Sequence, residues 1–167
     1  DVYAQILART PGDPRANLAV GKVALKGPAR GWPLGAKRML WASRAFRNEE
    51  KKHNALNALV NSLWRHRSAN RELLEGPVLL ALEEVAARLS PVEPTTSSQT
   101  HPNRYPVLRA YLLALKVGPR AGLEELIALQ EQRRKEGKSP PLIKEALTRL
   151  DAFLKEEEAA GRAREAR

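Results

Sequence analysis

The residues that cannot sit inside a helix are gathered into a few short clusters, and that gathering constrains this chain more than any other feature. Thr10-Pro11-Gly12-Asp13-Pro14, Gly27-Pro28-Ala29-Arg30-Gly31-Trp32-Pro33, Gly76-Pro77, Gly118-Pro119 and Gly137-Lys138-Ser139-Pro140 each join glycine to proline, which lacks the amide proton that a helix interior uses. Between them the chain is rich in Ala, Leu, Arg, Glu and Lys and poor in Val, Ile, Thr, Tyr and Phe. Helices therefore have their best formers, and strands have little to be built from. The prediction is an all-α chain of about seven helices in antiparallel hairpins, as a helical bundle or a short irregular α-solenoid.

A short first helix carries Val2, Ile6 and Leu7. Asp13 is placed to cap the second helix, with Pro14 at its first position and Leu18, Gly21, Ala24 and Leu25 inward. The third, Pro33 to Arg47, buries Gly35, Met39, Ala42 and Phe46, and its small residues admit a close neighbour. Asn48 ends it or caps the next, which runs from about His53 to Arg67 with Leu56, Leu59, Val60 and Leu63 inward. Ser68-Ala69-Asn70 is a turn, and Gly76-Pro77 opens a helix carrying Val78, Leu79, Leu82, Val85, Ala86 and Leu89. Three more are expected over Pro106–Val117, Arg120–Glu136 and Pro141 to about Glu158, the last with Ser139 as cap. The organisation predicted is a basic set of N-terminal hairpins over 1–89, a linker or long loop over 90–105, a C-terminal hairpin plus helix over 106–158, and a frayed tail over 159–167.

Charge divides the chain more sharply than helix content does. Of 29 Lys+Arg and 19 Asp+Glu, residues 1–71 hold 14 and 4, so the whole net charge of +10 lies there and the remainder is neutral. All three tryptophans, Trp32, Trp41 and Trp64, share the basic part. Cations interleaved with flat aromatics suit a polyanion with stackable bases. Lys37, Arg44, Arg47 and Lys51, flanked by Arg38 and Lys52, read as a basic stripe along one helical face that meets successive phosphates. The competing reading is an ordinary solvated face. Asn54, Asn57, Asn61 and Arg65 form a second polar stripe. Asparagine is a poor interior helix residue, so three at this spacing point either to base-edge or sugar-phosphate contacts, or to bonds with a neighbouring helix or water. Stacking on bases is open to Trp41 and Trp32, whereas Trp64 is expected to pack between hairpins.

Leu18, Gly21 and Ala24, with the preceding Pro11-Gly12-Asp13-Pro14, resemble the first helix and junction of a tetratricopeptide repeat. Ser90-Pro91-Val92-Glu93-Pro94 has a similar junction character. That resemblance implies protein or peptide binding in a concave groove, without catalysis. Lys51-Lys52-His53-Asn54-Ala55-Leu56-Asn57-Ala58-Leu59 resembles the basic-Asn-apolar helix start of the helical C-terminal domains of phage and plasmid primase-polymerases, and Pro140-Pro141-Leu142 with Glu145 resembles their close. Here the two pieces stand far apart in the chain. That resemblance implies template-strand or nucleotide contact beside a catalytic domain.

Other chemistries find little to work with. The chain has no cysteine and three histidines without ligand spacing, so neither a disulfide framework, a thiol nucleophile nor a metal site is expected. Gly27, Gly31 and Gly35 lack the spacing of a phosphate loop. In the basic part the only carboxylates are Asp1, Asp13, Glu49 and Glu50, too few for a two-metal centre. No apolar run approaches the ~20 residues that span a bilayer. Asp1-Val2-Tyr3 offers neither a starting methionine nor a signal-peptide pattern, which leaves open a trimmed or excised piece of a longer protein. The expectation is a cytoplasmic, non-enzymatic binding module without cofactor, metal or membrane, unless it is cut from a larger enzyme such as a primase. Its expected partner is nucleic acid, DNA or RNA. The alternatives are a tetratricopeptide-like scaffold holding an acidic protein segment, and a structural subunit of a phage or ribonucleoprotein assembly.

Overall fold

A computed structural model describes residues 2–65, 67, 83, 87 and 104–167. Among these the structure has seven α-helices, one 3-10 turn and no strand, so the fold is all-α. The chain divides into two compact units, Asp1–Arg88 and Leu89–Arg167.

In the first unit, α1 (Val2–Arg9) lies on α2 (Pro14–Lys26), which pairs with α3 (Trp32–Ala45), and α4 (Glu49–Arg65) packs on α3 and reaches α2. Asp13 caps α2 as its sequence position predicts: its carboxylate accepts the Ala16 amide at 2.7 Å. The α2/α3 pair is drawn together by glycine. A Cβ on Gly21 would stand 2.5 Å from Met39 Cγ and 2.8 Å from the Gly35 carbonyl, so no larger residue fits without parting the helices. Gly35, Met39 and Ala42 are buried on α3, and Phe46 is buried just past its end. Ala42 and Phe46 meet Ala55 of α4, with Leu18 of α2 packed against them. Leu56, Leu59, Val60 and Leu63 face inward on α4.

Among its described residues the second unit has three helices: α5 (Arg104–Lys116), α6 (Pro119–Lys135) and α7 (Pro141–Glu165). Its core joins Val107, Leu108, Tyr111 and Leu115 of α5, Leu126 of α6, and Ile143, Ala146, Leu150 and Phe153 of α7, the last four spaced three, four and three apart on one face. Gly122 sets the α5/α6 approach, because a Cβ there would stand 2.5 Å from the Ala110 carbonyl. α6 ends in a Schellman motif. The Lys138 amide donates to the Arg133 carbonyl at 2.8 Å and that of Gly137 to Arg134 at 2.9 Å, with Gly137 at φ 75°, a conformation that disfavours side chains.

Several expectations are corrected by local physics. The third helix stops at Ala45, since Phe46 is extended (φ −63°, ψ 134°), and the next starts at Glu49, four residues earlier than expected. Asn48 causes this early start: its side chain accepts the Lys51 amide at 3.1 Å. Ser139 does not cap α7; Pro140 occupies the cap position with no side-chain bond. α5 begins at Arg104, inside the span read as linker, with Pro106 in its first turn, where proline costs no hydrogen bond. α7 continues to Glu165, carried by Ala, Glu and Arg, although residues 158–160 and 162–167 are exposed. The turn at 68–70 and the stretch 90–103 lie outside the described residues, as does the helix predicted from Gly76 to Leu89 apart from Glu83 and Ala87, which are helical.

Candidate nucleic-acid interface

One side of α3 is buried through Trp32, Gly35, Ala36, Met39, Leu40, Ala42 and Ser43. Opposite it, beyond half-buried Pro33, Arg38 and Ala45, is a narrow exposed wedge in which Leu34, Lys37, Trp41 and Arg44 follow at spacings of three, four and three. Leu34 is 55% exposed and Trp41 47%, so the wedge alternates apolar and cationic groups. Lys37 makes no ion pair with any described residue. Asp13, one of only three acidic residues between positions 2 and 65, is occupied as a helix cap.

The expected four-residue stripe is broken by the end of α3. Lys37 and Arg44 stand on α3, exposed Arg47 lies in the turn after it, and Lys51 is in the first turn of α4. Lys51 instead joins Asn54, Asn61 and Arg65 on the solvent side of α4, opposite Leu56, Leu59 and Leu63. Lys51, Asn54 and Arg65 are exposed, while Lys52, Asn57 and Asn61 are half-buried.

Arg38 differs from its neighbours. Half-buried at the edge of α3, it donates from Nη1 to the Asn17 side-chain oxygen at 3.0 Å. Asn17 is 3% exposed and donates in turn to the Pro11 and Asp13 carbonyls, both at 2.9 Å. Arg38 thus fastens α3 to the turn before α2, and its charge is held against the protein.

The tryptophans separate into three situations. Trp32, read from sequence as open to stacking, is 7% exposed and opens α3 by donating its indole N–H to the Gly27 carbonyl at 2.8 Å. It closes the α2/α3 corner and has no face to offer. Trp64 is half-buried, with the Arg67 guanidinium 5.2 Å from its ring centroid. Trp41 is exposed, and its indole edge reaches the α1/α2 turn, with Cζ2 3.9 Å from the position a Cβ on Gly12 would take.

Sequence reasoning missed Asn17, Gly12 and Leu34. An asparagine four residues after a capping aspartate, inside the apolar repeat of α2, was the available signal for Asn17. Nothing local marks Gly12 or Leu34, whose roles depend on which residues of α3 come beside the turn.

In the second unit the cations have acidic company. Arg109 of α5 pairs with Glu125 of α6 at 2.8 Å, Arg149 with Glu145 at 2.6 Å and Lys155 with Asp151 at 2.7 Å, the latter two one helical turn apart. Burial raises the Tyr111 hydroxyl above its usual range, against the opposing influence of Arg149. Among the described residues no cluster of acidic or histidine side chains is arranged to hold a metal ion, and no helix is long and apolar enough to cross a membrane. No protein-family profile matches the chain, and no curated protein or solved structure matches it significantly.

Proposed function

We propose that the chain is a non-enzymatic helical module whose first unit contacts nucleic acid, DNA or RNA, mainly at phosphates, within a larger complex. The exposed wedge of α3 carries this reading: Lys37 and Arg44 bracket an exposed tryptophan within a stretch, 2–65, that has only three carboxylates. Arg47 and Lys51 extend the positive surface past the helix end. The confinement of the +10 excess to residues 1–71 supports the reading, since a surface meant only for solubility has no need to segregate its cations.

Titration of the chain with labelled oligonucleotides at rising salt tests the reading. Four phosphate contacts on a duplex lose affinity by roughly a hundredfold between about 50 and 200 mM salt. Changing Lys37, Arg44, Arg47 and Lys51 together to Glu is expected to abolish binding while circular dichroism stays helical. Absence of binding at low salt would overturn it.

The close Gly21/Gly35 crossing favours a second reading, a tetratricopeptide-like scaffold that grips an acidic protein segment. Saturable binding of an acidic peptide with no response to oligonucleotides would select it.

A further inference from the structure

Resting on that reading, we propose that the first unit selects single-stranded nucleic acid, with an unpaired base stacked on the Trp41 indole and Lys37 and Arg44 on the phosphates to either side. Stacking needs an aromatic face that the protein has not already used. Trp32 is buried in the α2/α3 corner and Trp64 lies under the Arg67 guanidinium. Trp41 has open surface, four residues after Lys37 and three before Arg44. Those two cations stand about 10 Å apart along the helix axis, with the indole between them on the same face.

The ring is also held. Its edge rests by Gly12, in a turn whose Pro11 and Asp13 carbonyls are bonded by buried Asn17, and Asn17 is bonded by Arg38, one helical turn before Trp41. The helix that bears the indole thus fixes the turn on which it leans. An aromatic ordered before binding loses less conformational freedom when a base arrives. A duplex gives such a ring nothing to stack on, because its bases are already stacked within the helix, whereas every unpaired base presents a π-face. The lone exposed indole among cations therefore favours the single strand over the duplex.

The test uses the whole wild-type chain with oligo-dT and oligo-U carrying 5-bromopyrimidines, irradiated and mapped by mass spectrometry. Cross-linking to Trp41 with either oligomer supports the proposal, and the tighter binder of the two identifies the preferred sugar. Cross-linking at Trp32 or Trp64 in its place overturns it. In parallel, Trp41→Ala is expected to weaken single-strand binding by roughly tenfold and leave duplex binding unchanged, with Trp41→Phe retaining most of the affinity. If duplex binds as well as single strand and Trp41→Ala changes neither, stacking falls while the phosphate reading stands. If nothing binds at low salt, both fall.

Discussion

The α2/α3 and α5/α6 hairpins share a joint and differ in how they carry charge. Each first helix ends on Ala-Leu-Lys, at Ala24-Leu25-Lys26 and Ala114-Leu115-Lys116, and in each a Gly-Pro follows, at Gly27-Pro28 and Gly118-Pro119. The leucine is buried in both. Both pairs close on a glycine that no larger residue can replace without moving its neighbour, Gly21 in one and Gly122 in the other. Across the second joint Arg109 meets Glu125, a full ion pair, whereas across the first Arg38 meets only the neutral amide of Asn17. Helix packing of this kind is governed by shape and is indifferent to surface charge, and exposed ion pairs contribute only about 0–1 kcal/mol each. The positive excess of the first unit is therefore not required by its packing.

The largest test of this comparison concerns the joints. Gly122→Ala is expected to destabilise the chain by about 1–3 kcal/mol in urea unfolding, because the new methyl meets the Ala110 carbonyl, which cannot swing away. Gly21→Ala is expected to destabilise on the same scale, since its Cβ would meet the Cγ of buried Met39 at 2.5 Å and the Gly35 carbonyl at 2.8 Å. Gly161→Ala, with nothing within 4 Å, serves as the control and is expected to stabilise by about 0.5–1 kcal/mol. Equal losses at Gly21 and Gly122 would show that the two joints respond alike. A gain at either would break the shared account.

The next effect separates the units by their helix starts. α2 is capped by the Asp13 carboxylate, while α7 follows Pro140 with no side-chain cap. Asp13→Ala is expected to cost about 1 kcal/mol, read from the urea midpoint. A change within error would mean that the proline at the first position of α2 holds this end unaided.

The smallest effect is a pH dependence that belongs to the second unit. Burial raises the Tyr111 hydroxyl above its ordinary value of 10.0, so the folded chain holds that proton more tightly than the unfolded one. The resulting stability is complete below the unfolded value and is lost as pH rises through the folded one. Unfolding midpoints of the wild type are expected to fall more steeply above pH ~10 than those of Tyr111→Phe. Parallel curves would remove Tyr111 from the account.

Much of the architecture was legible because proline, glycine and capping side chains act within a few residues of themselves. Pro14 and Asp13 start α2, and Gly27 ends it, with no help from distant chain. Apolar spacing likewise placed Met39, Ala42 and Leu59 inside. The basic stripe was less legible. Lys37, Arg44, Arg47 and Lys51 align only if one helix runs through all four, and the local contest between Phe46 and Asn48 ended that helix first. Trp32 failed as a candidate for a different reason. Its sequence neighbours, Gly31 and Pro33, suggest an open turn, yet the corner folds back far enough for the Gly27 carbonyl to accept the indole proton.

By itself, then, the sequence determined an all-α chain, the positions of most helix ends, and a charge excess confined to residues 1–71, because each depends on composition or on contacts a few residues long. Only the tertiary structure decided what became of the tryptophans and the cations. Trp32 was drawn into a corner, Arg38 was tied to Asn17, and Trp41 was set beside Gly12 between Lys37 and Arg44. Those outcomes depend on which faces of α2 and α3 meet, and the glycines that fix that meeting lie 14 residues apart in the chain, at Gly21 and Gly35.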